Sequence, residues 1–419
     1  MVRAGYKQTE VGEIPEDWGV EKIGSFDPFV TSGSRGWAPY YSQYGSPFVR
    51  ITNMVRGSIR LDLGDLRYVN LPSLSAEGKR TALQNDDILV SITADIGICS
   101  LVDSELQSPG YINQHIALVR FNSKNISPRF VAYFLNSRQV QKLFVRSSDQ
   151  GAKAGMNLGT VRSIEFAVPQ YEEQKAIAGA LSNVDALIAS LEKLIEKKRD
   201  IKTAMMQQLL TGKMRLPGFE AKWCHTEIGK HIDLLTGFPF PSSGYTSSGV
   251  RLLRGSNIKR GQLDWSDELI KFWPKVDGDI AKYALQEGDI VVAMDGSLVG
   301  RSFGQISKSD LPALLLQRVA RVRSKGIDQG LLKEWICSPF FTEHCDNVKT
   351  VTAVPHISPE DILKFRIRAS EDLEEQKAIA AFLSDASNEL RILESRLSKT
   401  KAIKQGMMQE LLTGRTRLV

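Results

Sequence analysis

Two short segments of the chain repeat one pairing of arginine with asparagine. Arg50 and Asn53 follow an apolar strand start, and Arg254 and Asn257 occupy the matching places in a later segment. A guanidinium bonds the two acceptors of guanine side by side, and a carboxamide matches the donor and acceptor of adenine. Each such contact is worth about 1–3 kcal/mol of discrimination between bases. The same arginines serve equally to grip phosphate or to brace a turn through an internal ion pair, and the sequence leaves these readings open. Lys259 and Arg260 suit phosphate contact, which adds affinity without sequence information.

Other candidates lie in polar, glycine-rich stretches. Residues 33–37 with Tyr40, Tyr41 and Tyr44 mix basic and aromatic groups, with Arg35, Trp37 and Tyr40 as candidate DNA contacts; Ser242 and Tyr245 are candidates in the second half. The stretch 295–301 offers Asp295, Ser297 and Arg301, and Thr93 belongs to its counterpart 93–97. Glycines there permit close backbone approach to a ligand, or simply a tight strand-to-strand turn. A further pair of polar loops supplies Lys153 and Asn157 in one half, Lys349 and His356 in the other.

Catalytic patterns are missing. There is no phosphate-binding Gly-x-x-x-x-Gly-Lys-Ser/Thr loop, no Asn/Asp-Pro-Pro-Tyr/Phe element of an amino-methyltransferase, and no Gly-x-Gly-x-x-Gly loop after a strand. Glu173-Gln174-Lys175 and Glu375-Gln376-Lys377 mimic half of a nuclease motif but open helices without a nearby Pro-Asp strand. Cys337, His344, Cys345 and His356 fit no common zinc spacing, so buried thiols beside an aromatic helix are the expectation.

The elements that carry these residues are duplicated. Glu173-Gln174-Lys175-Ala176-Ile177-Ala178 recurs at 375–380, and Leu209-Leu210-Thr211-Gly212 recurs at 411–414. At the constant offset of 202, 20 of 40 positions match from residue 173 to 212. Both copies read as long helices. Ile177, Leu181, Val184, Ile188, Leu191 and Ile195 step by four and three, as do Ile379, Leu383, Ala386, Leu390, Leu393 and Leu397. That is a coiled-coil seam, and about 40 residues make a rod of roughly 60 Å. Each helix opens on acidic residues, and Gly212 and Gly414 stand where a glycine ends it. Between the helices the chain reads as mixed α/β. Residues 87–92 and 289–294 are buried strands, 114–120 and 317–323 a second matching pair. Ser127-Pro128 starts a short helix whose Phe130, Tyr133 and Phe134 face the core.

A net charge of +6 leans toward a polyanionic partner. Residues 1–170 carry 18 basic and 16 acidic groups and residues 217–371 carry 20 and 19, so bulk charge supplies no tight grip and base contacts or other subunits must contribute. No apolar run reaches the roughly 20 residues of a membrane span, and no signal peptide is visible. Four scattered cysteines suit reduced thiols in the cytoplasm.

Taken together, the order globular–helix–globular–helix, the duplicated helix starts and the duplicated Leu-Leu-Thr-Gly ends resemble the specificity subunit of type I restriction–modification systems. Thr9-Glu10-Val11-Gly12-Glu13-Ile14-Pro15-Glu16-Asp17-Trp18 resembles the family's N-terminal opening, and Leu216-Pro217-Gly218-Phe219 with Trp223 its second-domain opening. The resemblance covers essentially the whole chain. It implies an α+β fold: two mixed α/β target-recognition domains, 1–170 and 214–371, separated by helices at 171–213 and 372–419 that pack as an antiparallel coiled coil with pseudo-twofold symmetry. It implies that the partners are double-stranded DNA read in two halves, two methyltransferase subunits docked on the helices, and restriction subunits. Cofactors are expected only in those partners, namely S-adenosylmethionine, ATP and magnesium, and the chain itself is expected to be non-catalytic. From a different class, a coiled-coil adaptor joining two protein-binding domains also accommodates the even charge.

Overall fold

The computed structural model describes residues 2–72, 75–148 and 155–418. The chain forms two compact units, Met1–Glu192 with Arg396–Val419, and Lys193–Ser395. The division falls inside both long helices, Tyr171–Leu210 and Leu373–Leu411. Each unit thus owns one globular region, the start of the helix that follows it, and the end of the other helix. Among the described residues no helix is long and apolar enough to cross a membrane.

In the first unit a four-stranded antiparallel sheet runs in the order Phe29–Ser32, Ile116–Arg120, Ile88–Ser91, Cys99–Leu101. The strand Ile88–Ser91 is buried along its whole length because it pairs on both sides and is covered on both faces. Asp87, at its entrance, has no exposed side-chain surface and takes two bonds of 2.7 Å from Arg120 plus the Gln84 amide at 2.7 Å. Helix Pro128–Leu135 packs on this sheet with Phe130, Tyr133 and Phe134 in the core, and Ser127 caps it. A second, mixed sheet of short strands carries Tyr41–Ser42, Ser46–Val49, Arg67–Val69 and Tyr111–Ile112.

The second unit repeats this plan. Its four-stranded sheet runs Ile232–Thr236, Val319–Ser324, Ile290–Ala293, Phe303–Gln305. Buried Asp289 is held by Arg323 and the Gln286 amide as Asp87 is by Arg120 and Gln84. Helix Gln329–Ile336 covers the sheet with Leu331, Leu332, Trp335 and Ile336.

The helices pair within each unit, and the pairing is antiparallel. In the first, Lys404 meets Asp185 at 2.7 Å and Lys401 meets Glu192 at 2.7 Å, so advance along one helix is retreat along the other. In the second, Arg215 meets Glu375 at 2.7 Å and Lys198 meets Glu389 at 2.7 Å, so the order reverses again. Leu191 and Ile195 are buried as the seam spacing predicts. Val184 and Ile188 are only half-buried.

The repeated sequence motifs explain themselves at the helix starts. Glu173 is buried; it accepts from the Trp18 indole at 3.2 Å and from Arg417 at 2.6 and 2.8 Å. Glu375 accepts from Trp223 at 3.3 Å and Arg215 at 2.9 and 2.7 Å. Gln174 receives the Ser127 amide at 2.9 Å and donates to Pro169 O, and Gln376 does the same for Asp328 and Ser370. In each unit, then, one carboxylate ties the opening strands to the start of one helix and the tail of the other. Gly212 and Gly414 end the helices at φ 66° and 67°, and a Cβ on Gly414 would lie 2.4 Å from Pro15 Cγ.

Candidate nucleic-acid interface

The paired arginine–asparagine segments fold into short 3-10 turns, Ile51–Asn53 and Gly255–Asn257. In both, the asparagine turns inward. Asn53 is 1 % exposed; its oxygen accepts from the Arg50 amide at 3.0 Å and its nitrogen donates to Asp62 O at 3.0 Å and Asp65 O at 3.2 Å. Asn257 repeats the set with the Arg254 amide at 3.1 Å, Asp264 O at 2.9 Å and Leu269 O at 3.4 Å. A carboxamide so engaged has no edge left for adenine, so Asn53 and Asn257 are corrected to loop clamps. Arg50 bonds Asp65 through its carbonyl at 2.8 Å and its carboxylate at 3.0 Å, and Arg254 bonds Leu269 O. Both arginines brace turns, one of the alternatives that the sequence left open.

Trp37 is also corrected. It is buried against Phe48 and Val69 with its ring 5.0 Å from Phe48, so it is core. Arg35 and Tyr40 stay exposed on the same loop. In the second unit Ser242 is exposed, whereas Tyr245 packs half-buried against the cluster of Phe240, Leu252 and Leu314. Lys259 reaches back to Ser256 O at 3.0 Å, and Arg260 is exposed.

The remaining candidates gather at one edge of each four-stranded sheet. In the first unit, bridge Ser34–Asn113 brings the loop of Arg35 beside residues 113–115. Thr93 bonds the His115 ring, and the Met156 amide binds Ile92 O. Asn157 serves as an N-cap, its oxygen accepting from the Thr160 amide at 2.8 Å. Lys153 lies outside the described residues.

In the second unit, bridge Phe238–Leu316 and the bond from the Ile357 amide to Met294 O repeat the same framework. The side chains on it differ. Asp295 accepts from both Arg318 and the His356 ring. Burial pushes the Asp295 carboxyl up, but the bonds from His356 and Arg318 outweigh it and hold the group below its ordinary range. Arg301 grips Asp346 at 3.0 and 2.6 Å, and Lys349 adds a third contact at 2.6 Å. The Asp346 carboxyl is thereby lowered to about 2. Ser297 is exposed at the turn.

Sequence reasoning missed Arg318 and His115, which it took for ordinary strand residues. It missed Arg215 and Arg417 too, although they stand at the repeat offset of 202. Among the described residues there is no group of three or more His, Cys, Asp or Glu placed to hold a metal.

Residues 15–198 match the family model described as the type I restriction modification DNA specificity domain. Over 99 % of this chain and 96 % of the relative, the sequence is 26 % identical to the specificity subunit of the type I restriction enzyme MjaVIII of Methanocaldococcus jannaschii. Over these spans the chain is similar to specificity subunits of type I restriction enzymes. A second specificity subunit, that of EcoAI from Escherichia coli, is 37 % identical over 34 % of this chain and 24 % of its own length. The crystal structure of the type I system S subunit from M. genitalium shares the fold with a TM-score of 0.62, at 13 % identity over 94 % of this chain and 96 % of that one. The antiparallel helix pairs and twin α+β units are thus the fold of a specificity subunit.

Proposed function

We propose that this chain is the DNA specificity subunit of a type I restriction–modification complex, in which each unit reads one half of a split, asymmetric duplex target. One observation carries the reading. The two units keep one framework, down to the Asp87–Arg120 and Asp289–Arg323 pairs, yet exchange the side chains at its loop edge, Thr93 and His115 against Asp295, Arg318 and His356. A duplicated scaffold with altered contact groups is what reading two unlike half-sites requires. The long helices dock two methyltransferase subunits, one for each copy of the repeat, and restriction subunits join that core. Methyl transfer, ATP hydrolysis and cleavage belong to those partners, which hold S-adenosylmethionine, ATP and magnesium; this chain has no catalytic role. It works in the cytoplasm beside the DNA.

Co-expression with the methyltransferase subunit tests the proposal. Sequencing of the modified DNA is expected to show one two-part motif, and the chain alone is expected neither to methylate nor to cleave. If the assembled complex selects no motif from a random duplex pool, the adaptor reading replaces this one.

A further inference from the structure

The loop edge of the second unit carries a feature that the framework does not need. Residues 350–356 form a closed finger. Its base is stapled by the Thr350 amide on His356 O at 3.0 Å and by the His356 amide on Thr350 Oγ1 at 3.0 Å. Inside it, Thr352 Oγ1 donates to Val354 O at 2.7 Å. The finger is moored to the sheet by the Gly296 amide on Pro355 O at 3.0 Å and by the His356 ring on Asp295. An ordered loop built this way could bury its apolar residues, but it does the reverse. Val351 is 103 % exposed and Val354 56 %, and Leu298 on the adjoining turn is 56 % exposed.

Beside the finger stands Arg318, with a side chain 69 % exposed and a backbone at φ 68°. A non-glycine residue in the left-handed region is strained, and such strain collects at functional positions. Asp295 pairs with Arg318 from beneath: its side chain is 14 % exposed against 69 % for Arg318, so the guanidinium is the member of the pair that faces outward. Asp346 is likewise held between Arg301 and Lys349. The outward-facing polar group beside the finger is thus a guanidinium, and the accessible carbon is branched and aliphatic.

Resting on the specificity reading above, we propose that Arg318 and the Val351–Val354 finger read base edges of the half-site assigned to the second unit. Arginine takes guanine and the valine methyls pack on thymine methyl groups in the major groove. Asp295 and His356 are positioning residues that fix the guanidinium and the finger relative to each other. The equivalent seats of the first unit hold Thr93 and His115, so the same geometry reads other bases there.

The test uses the full chain assembled with its methyltransferase subunit, with a randomised duplex library as probe. Val351→Ser with Val354→Ser removes exposed methyl groups, and Arg318→Lys keeps the charge but loses the two-pronged donor. Each variant is expected to melt with the wild type and to keep the first half-site intact. Discrimination at one or two positions of the second half-site is expected to fall about tenfold, the ordinary worth of one base pair. Two unchanged half-sites in both variants would overturn the assignment. So would loss of methyltransferase co-purification with the motif retained, which would make the finger a subunit contact. If the wild-type complex itself yields no two-part motif, the specificity reading fails, and that outcome is distinct from either of these.

Discussion

The seam of the first unit buries an ion pair, and removing one partner gives a sharp test of how that unit is held together. Lys404 Nζ lies 2.7 Å from Asp185 Oδ1, with side chains 10 % and 11 % exposed, and the Tyr133 hydroxyl donates to Asp185 Oδ2 at 2.7 Å. The lysine also lies over the Tyr133 ring, 5.8 Å from its centre. Lys404→Ala leaves a desolvated carboxylate with one hydroxyl donor. Breaking such a pair costs about 3–5 kcal/mol, and the residual water access here argues for about 3. For a domain of about 200 residues that lowers Tm by roughly 6–12 °C. Replacing both partners by apolar groups removes the stranded charge as well. Asp185→Leu with Lys404→Met is therefore expected to melt close to the wild type, since Ser182 remains 3.3 Å from the Tyr133 hydroxyl. Calorimetry of the full chain reads the shift, and the ion pair is not repeated in the second unit, where Ser387 and Lys202 stand at offset 202. A fall of under 2 °C for Lys404→Ala, or a double variant that melts as low as the single one, would refute the reasoning.

Three further outcomes follow from the geometry. Asn53→Ala breaks three internal bonds in a buried site, so it should cost about 2–3 kcal/mol in urea titration while the methylated motif of the assembled complex stays the same; a changed base would return Asn53 to the reading surface. The Asp346 carboxyl, lowered to about 2 from 3.8 chiefly by the Arg301 and Lys349 bonds, is depressed in the folded state, so its contribution is present above pH 4 and lost as pH falls toward 2. Across that window Tm should fall more steeply for the wild type than for Asp346→Asn, and parallel curves would contradict this. Burial pushes the thiols of Cys337 and Cys345 up to about 12 and that of Cys99 higher still, so at pH 8 a thiol reagent should label Cys224 first, the half-buried Cys337 more slowly, and Cys99 and Cys345 only on unfolding, as mass spectrometry of timed samples would show.

What could be read from the sequence was whatever repeats or alternates. The offset of 202 exposed both long helices, and the unbroken apolar runs before Ser91 and Ala293 marked the doubly covered strands. Ser127 before proline announced its cap. Side-chain destination was not legible in the same way. Asn53 and Asn257 have the chemistry to bond adenine, but three backbone groups of their own turn satisfy them first. Trp37 sits in a polar, glycine-rich stretch that suggests exposure, and only the pairing of strands Ser46–Val49 and Arg67–Val69, which brings Phe48 and Val69 into one cluster, shows the pocket that takes it. Arg318 is hidden for a different reason. It precedes an apolar strand and has no periodicity of its own, and its part depends on Asp295 and His356, which long-range pairing brings alongside. The role of Glu173 likewise needs partners 155 and 244 residues away.

The division of the chain also has a consequence for its synthesis. The second unit is one unbroken stretch, Lys193–Ser395, and its parts are all made once Ser395 has left the ribosome. The first unit begins earlier, but its core still waits for Leu411 and Leu412, and its buried Glu173 waits for Arg417. Birth order and completion order are therefore reversed. The N-terminal half must stay open, with a charged group and apolar surface uncovered, until the last two dozen residues arrive to close it, and that interval is when the nascent chain is most exposed to aggregation and proteolysis.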